Sequence, residues 1–323
     1  QEILDILKEK ANSGLDVRVL YDDMGSFAML PSNYPKLLGK YGIKCMQFNK
    51  LSPFAGIIMN NRDHRKMMII DGHTAFSGGI NISDEYININ SKLGVWKDNG
   101  IRIKGEAVWN FTVMFLEMWN SFKKEDNDYN KYKYNFTEKY KENGFVVPYG
   151  ESPLDDVITG EDIYLNIINQ AKKYVYIYTP YLIIDTDMIN SLILAARRGV
   201  DVRIVVPGIP DKKIVYDLTS SYFYTLIKGG VKIYTYTNGF VHSKVFLSDD
   251  EIATVGTINL DYRSLYLHFE CGIYMKDTNV IKDNKKDFED SFKESHKVDE
   301  KEAKNGLFKG LWQAILRLFA PMM

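Results

Sequence analysis

The sequence predicts an α/β sandwich in which helices cover both faces of a largely parallel, partly mixed sheet, with two copies of one unit packed side by side about a pseudo-two-fold. Three observations carry this. Helical and strand patterns alternate along the chain. Four blocks recur in the same order. The 323 residues, 45% apolar, are enough for a two-part domain with a sizeable core.

The blocks define the elements in turn. GLDVRVLYDD at 14–23 matches GVDVRIVVPG at 199–208, each a buried strand fed by a helix that stops at the glycine. LLGKYGIKCMQFN at 37–49 matches LIKGGVKIYTYT at 226–237, again helix, glycine turn and strand. HRKMMIIDGHTAFSGGIN at 64–81 matches HSKVFLSDDEIATVGTIN at 242–259, every position 178 residues apart. WKDNGIRI at 96–103 matches HFECGIYM at 268–275 and aligns Asp98 with Glu270. The second copy opens with a helix at 161–172, a strand at 174–180 and a helix at 187–198, whereas the first starts at the second of those helices, so by its own template it lacks one helix and one strand. Before the His motif the first copy is ten residues longer, with the apolar insertion SPFAGIIM. The expected organisation is a first repeat at 1–122, a charged Asn/Tyr-rich linker at 123–150, a second repeat at 151–297 and an amphipathic tail at 298–323.

Composition narrows the function. With 41 basic against 42 acidic residues there is no global field to attract nucleic acid, so an anionic ligand has to be met by a local pocket. Cys45 and Cys271 lie far apart and in no metal-ligand spacing, and both read as small buried hydrophobes. No apolar run reaches the length of a bilayer span; the longest, at 107–119, is broken by Asn110 and Glu117. The chain opens on Gln1 inside a helical pattern, and a preceding piece carrying membrane spans is expected.

Strand alternation puts His64, Lys66, Met68 and Ile70 on one face and Met67 and Ile69 on the other. Asp71-Gly72 signals a hairpin turn that returns Gly78, Gly79 and Asn81 towards His64. Asp71 is about 16 Å of strand from Lys66 at about 3.3 Å per residue, so a role at the turn suits it better than orienting His64. Brought together by the two-fold, His64 and His242 supply a nucleophile and an acid, while Lys66, Lys244, Asn81 and Asn259 hold phosphate oxygens. Glycines 78, 79 and 256 would let backbone amides approach the phosphate. Asp98 and Glu270 are the candidates to fix the imidazole tautomers, in either pairing. Such a site suits a phosphodiester and calls for neither metal nor cofactor. His73 and His268 read as structural or rim residues, His296 as solvated on a polar helix, and Arg18 and Arg203 as members of structural ion pairs. In the tail, Leu307, Phe308, Leu311, Trp312, Ile315 and Leu318 share a helical face opposite Lys309, Gln313 and Arg317, a pattern for docking on the body or lying in a membrane surface.

The doubled pattern HxK, four residues, D, six residues, G, G/S/T, x, N resembles the phospholipase D superfamily. The fuller stretches GGINISDEYIN and GTINLDYRSLYLHFECG are similar to the bacterial cardiolipin synthases, over essentially the whole chain. Ser83 departs from the pattern, away from the chemistry. The resemblance implies that His64, Lys66, Asp71, His242, Lys244 and Asp249 form the catalytic set, with His64 the nucleophile, His242 the acid/base, and Glu270 and Asp98 serving His64 and His242 respectively. It further implies a bacterial membrane enzyme that transfers a phosphatidyl group between two phosphatidylglycerol molecules in a lipid surface. Hydrolysis in the manner of a phospholipase D, another phosphatidyl transfer, or a non-catalytic membrane scaffold are the alternatives.

Overall fold

A computed structural model describes residues 1–50, 60–137, 140 and 143–322. The insertion SPFAGIIM falls outside the described residues.

The first copy contains strands β1 (Arg18–Asp22), β2 (Lys44–Phe48), β3 (Arg62–Asp63), β4 (Met67–Ile70), β5 (Thr74–Gly78), β6 (Val95–Lys97) and β7 (Gly100–Lys104). After helix Val108–Phe122 and the linker comes β8 (Phe145–Glu151). The second copy contains β9 (Tyr174–Tyr178), β10 (Leu182–Ile183), β11 (Asp201–Pro207), β12 (Lys232–Tyr236), β13 (Gly239–Val241), β14 (Val245–Ser248), β15 (Ile252–Gly256), β16 (Leu260–Asp261), β17 (His268–Lys276) and β18 (Ser295–Lys297).

The repeat holds to the level of register. β1 and β2 pair in parallel with Arg18 opposite Lys44, and β11 and β12 do so with Arg203 opposite Lys232. The hairpins agree too: Met67 faces Ser77 and Ile70 faces Thr74 in one, Val245 faces Val255 and Ser248 faces Ile252 in the other. Gly14 and Gly199, just past the matched helices, take φ +88° and +92°, the left-handed conformation that ends a helix and that a β-carbon disfavours.

The sheets differ in completeness. In the second copy β9 lies between β11 and β14 and unites one long sheet, parallel through β12, β11 and β9 and antiparallel through β14, β15, β17 and β8. It is mixed because the Asp-containing turns force hairpins onto a parallel start. Among the described residues of the first copy no strand stands between β1 and β4, so β1–β2 and β4–β5–β7 remain separate ladders. The core follows the same division. One apolar layer joins helices Thr159–Gln170, Thr186–Arg197 and Lys213–Ser221 to the second copy's sheet. On the opposite face, Ala75, Ile103, Val108 and Phe111 of the first copy pack against Tyr178, Val245, Val255 and Phe288 of the second. Each such fully buried large apolar side chain contributes about 1.5–3 kcal/mol.

The two arginines singled out in the sequence are structural. Arg18 bonds Asp16 and the linker's Asp126, and Arg203 bonds Asp201. His73 bonds Thr74 and stacks on linker aromatics. His296 lies on β18 rather than on a helix, paired with Glu302. Cys271 is buried and Cys45 half-buried, both free.

Candidate active site

Each HxK triplet sits in a gap between a short strand and its hairpin: 64–66 between β3 and β4, 242–244 between β13 and β14. The expected alternation therefore holds only from Met67 on. Met67 and Ile69 pack inward, while Met68 and Ile70 are exposed rather than sharing a pocket face with His64 and Lys66.

The short strands explain the break, because they belong to the other copy. β3 pairs in parallel with β17, Arg62 opposite His268 and Asp63 opposite Phe269, and the His64 amide continues the ladder by donating to Phe269 O at 2.9 Å. β13 pairs in parallel with β6, Phe240 opposite Trp96 and Val241 opposite Lys97, and the His242 amide donates to Lys97 O at 2.7 Å. The next residue on each partner strand is a carboxylate. Consequently His64 Nδ1 lies 2.8 and 2.9 Å from the oxygens of Glu270, and His242 Nδ1 lies 2.7 Å from Asp98 Oδ2. A carboxylate accepts, so Nδ1–H donates in each pair and Nε2 keeps its lone pair for chemistry.

Lys66 and Lys244 fold back alike, each ammonium donating to the carbonyl of the histidine two residues earlier, at 2.6 Å for Lys66. Asn81 donates to Tyr86 Oη, whose ring stands edge-on to His242 at 5.1 Å. Asn259 donates to Asp261 at 3.0 Å, and Asp261 also caps the helix Tyr262–Tyr266.

Two expectations need correction. Asp71 and Asp249 are not in the site: both occupy the left-handed turn position of their hairpins, at φ +54° and +56°. Asp71 is exposed, and the Asp249 carboxylate accepts from the amides of Lys172, Lys173 and Tyr174. The motif's aspartates thus tie hairpin turns rather than meet substrate. The glycines serve the crossing strands and not a phosphate, their amides being used internally: Gly79 donates to Asn99 O and Gly256 to Lys244 O. A β-carbon on Gly79 would lie 2.1 Å from Asp98 Oδ1, so glycine is what lets that carboxylate reach His242.

Sequence reasoning set His268 aside, yet its ring lies 5.6 Å from that of His64 and its Nδ1 is 3.6 Å from Glu270. Alternation could have found it, since 268 and 270 share a face of β17, as Trp96 and Asp98 flank each other in the first copy. Trp96 lies 5.6 Å from the ring of His242. The donor atoms of His64, His268 and Glu270 fall within 4.8 Å of one another, a set able to take a divalent ion as well as a proton.

Burial dominates the electrostatics. It pushes His64 down to about 4 against the pull of Glu270, and His242 well below its ordinary value, with Lys244 and Lys66 adding to the effect. Burial likewise lowers Lys66 to about 8 and Lys244 to about 7, opposed by Glu270 and Asp98. The carboxylates diverge. Burial raises Asp98 to about 6 despite Lys244, whereas Glu270, which burial alone would raise, is held below the usual carboxylate range by His64 and His268. Both imidazoles are therefore neutral near pH 7, in a pocket whose depressed cations an entering phosphate would restore.

A mixed α/β fold with two His–Lys pairs, each histidine held by the other copy's carboxylate and the Lys66 charge bearing on His242 and Asp98, is the arrangement of a phospholipase D-type enzyme. The family model described as "Cardiolipin synthase, PLD-like domain" matches residues 1–119 and 164–292, and the chain belongs to that family, the bacterial cardiolipin synthases of the phospholipase D superfamily. It is 48% identical to an uncharacterized protein of Streptococcus mutans over all of this chain and 70% of that protein. It is 38% identical to cardiolipin synthase 1 of Staphylococcus aureus over all of this chain and 66% of that one. The chain thus spans about two thirds of the length of the curated relatives it matches. A crystal structure of phosphatidylserine synthase from Haemophilus influenzae superposes with TM-score 0.70 at 18% identity, over all of this chain and 84% of that one, a likeness of fold.

Proposed function

We propose that the protein is a cardiolipin synthase: it transfers the phosphatidyl group of one phosphatidylglycerol to the headgroup hydroxyl of another, releasing glycerol. The observation that carries this reading is the crossed pairing, in which each neutral imidazole is oriented through Nδ1 by the other copy's carboxylate. His64 Nε2 attacks phosphorus, forming a P–N bond as the P–O bond to the glycerol headgroup breaks. His242, protonated once the phosphodiester's negative charge is bound beside it, gives its proton to the departing glycerol oxygen. It then takes a proton from the incoming hydroxyl, which displaces His64 and yields cardiolipin. Lys66, Lys244, Asn81 and Asn259 hold the non-bridging oxygens as charge builds. Two features favour His64 as nucleophile. Its side chain is 27% exposed against 9% for His242, and its partner Glu270 stays a firm anion, whereas Asp98 is poised to exchange a proton with its histidine.

The direct assay supplies headgroup-labelled phosphatidylglycerol in vesicles and follows lipid products and free glycerol. Cardiolipin with stoichiometric glycerol is expected. Phosphatidic acid as the sole lipid product would show that water, not a second lipid, discharges the intermediate.

A further inference from the structure

The C-terminal helix Leu307–Leu318 is docked with its polar side inward. Gln313 is buried, donating at 3.0 Å to both Asp217 O and Ser220 Oγ of helix Lys213–Ser221, and accepting from Asn305 at 2.7 Å. Arg317 bonds Ser221 Oγ at 2.9 Å and lies over the Tyr222 ring at 4.6 Å. Of the helix's large apolar residues only Leu316 is buried. Leu307, Phe308, Leu311 and Leu318 are 87%, 89%, 63% and 78% exposed, and Trp312 and Ile315 are exposed beside them.

An amphipathic helix that merely closes a soluble body buries its apolar stripe and wets its polar one. Here the body holds the polar stripe, and six large apolar residues form a contiguous outward face, more than a solvated surface ordinarily shows. The surroundings say what covers it. From Lys304 to the chain's end there are three cations, Lys304, Lys309 and Arg317, and no acidic residue. The bonds from Gln313 and Arg317 run to successively later residues of helix Lys213–Ser221, so the two helices lie alongside in the same direction. That neighbour begins with Lys212 and Lys213 and exposes Ile214, with Ile209 exposed just before it. Exposed apolar side chains on a helix flanked by the exposed Lys304 and Lys309, beside a helix that opens at Lys213 after Asp211 and Lys212, complement an anionic bilayer surface, whose acyl region takes the former and whose headgroups attract the lysines.

We infer that this helix is a membrane-docking element which lies in the plane of an anionic bilayer, apolar face down, while Gln313 and Arg317 fix its orientation to the catalytic body. The inference builds on the lipid substrate proposed above, but its test reads binding and needs no turnover, so failure of either reading is seen separately. The probe is flotation of the 1–323 chain with vesicles of phosphatidylglycerol and phosphatidylcholine, against phosphatidylcholine alone. Wild type should float with the anionic vesicles, and F308E/L311E should partition about 100-fold more weakly, because two deeply exposed anchors become charges. Its thermal midpoint should not move, since neither side chain contacts the core. Lys309→Gln should keep the apolar contribution and flatten the salt dependence. Unchanged flotation of F308E/L311E would overturn the inference. So would a wild-type dimer that this variant turns into a monomer with no loss of vesicle binding, since the face would then be an interface between copies.

Discussion

The two copies of the repeat keep one register and build very different interiors. At matched positions Ile3 is 47% exposed and Met188 fully buried, and helix Glu2–Asn12 buries nothing where helix Thr186–Arg197 buries Met188, Leu192 and Ala195. β9, the second copy's central strand, lies between β11 and β14, and helix Thr186–Arg197 packs on that sheet. A parallel strand covered on both faces is what turns flanking helices into core elements. Yet the catalytic parts are equally formed in both, because they depend on the hairpins and on the two cross-copy ladders instead of on the long sheet. The chemistry therefore draws on both copies alike, through ladders in which each copy completes the other.

The largest effects should separate the two histidines. His64→Ala should abolish turnover and phosphoenzyme together. His242→Asn should slow turnover by about 10²–10⁴-fold, the usual worth of a general acid, while a substrate with a good leaving group still phosphorylates His64. Both are read by single-turnover kinetics, and equal loss of phosphorylation in the two variants would erase the asymmetry drawn between them.

The contrast in stability is next. Met188→Ala should cost about 2–5 kcal/mol as a core truncation, whereas Ile3→Ala at the matched site should stay within about 0.5 kcal/mol. Denaturant unfolding of the 1–323 chain reads the pair, and equal costs would contradict the contrast between the buried Met188 and the exposed Ile3.

The carboxylates allow a finer cut. Gly79→Ala drives a methyl against Asp98, whereas the matching position of the second copy holds Thr257, whose hydroxyl donates to Cys271 O at 3.1 Å. Gly79→Ala should therefore lower kcat with little change in KM, and leave the rate of His64 phosphorylation by an activated ester nearly intact. A loss confined to phosphorylation would mean that Asp98 serves the nucleophile after all.

The pH profile carries a smaller effect. Lys66 and Lys244, at about 8 and 7 instead of the ordinary 10.5, lose their protons early as pH rises, so phosphate affinity falls where an ordinary lysine would keep it. The sign predicts that kcat/KM declines from pH 7 to 9, with inorganic phosphate becoming a weaker inhibitor over the same range. A profile flat to pH 10 would contradict it. Chelation should change least: exhaustive dialysis against a strong chelator should leave activity intact, and loss restored by a divalent ion would mean that His64, His268 and Glu270 hold metal.

Much of this was legible because the chain carries its own alignment. The doubled HxK blocks, the matched glycines and the Asp98–Glu270 equivalence give the repeat, the hairpins and the two histidines with their carboxylates from spacing. What escaped has a common physical cause. β3 and β13 are two and three residues long and find their partners in the other copy, so no local periodicity marks them, and the triplets they precede were read as strand. The motif aspartates illustrate the limit of reading a motif as a list of reagents: their left-handed backbone is a turn requirement. His268 carries no repeated signal, since the matching residue is Trp96, although strand alternation places both beside a carboxylate. The tail's apolar stripe was plain in the sequence, but its outward orientation is set by where Gln313 and Arg317 bond, which is tertiary information.

The central claim is that one copy's histidine carries the covalent intermediate while the other's shuttles protons. It is tested most directly by trapping the His242→Asn variant with a phosphatidyl ester that carries a good leaving group and a label in the phosphatidyl group, under denaturing alkaline conditions that preserve phosphohistidine, and mapping the label by mass spectrometry. The account predicts label on His64 that is lost in acid; label on any other residue, or cardiolipin formed with no trapped intermediate, would contradict it.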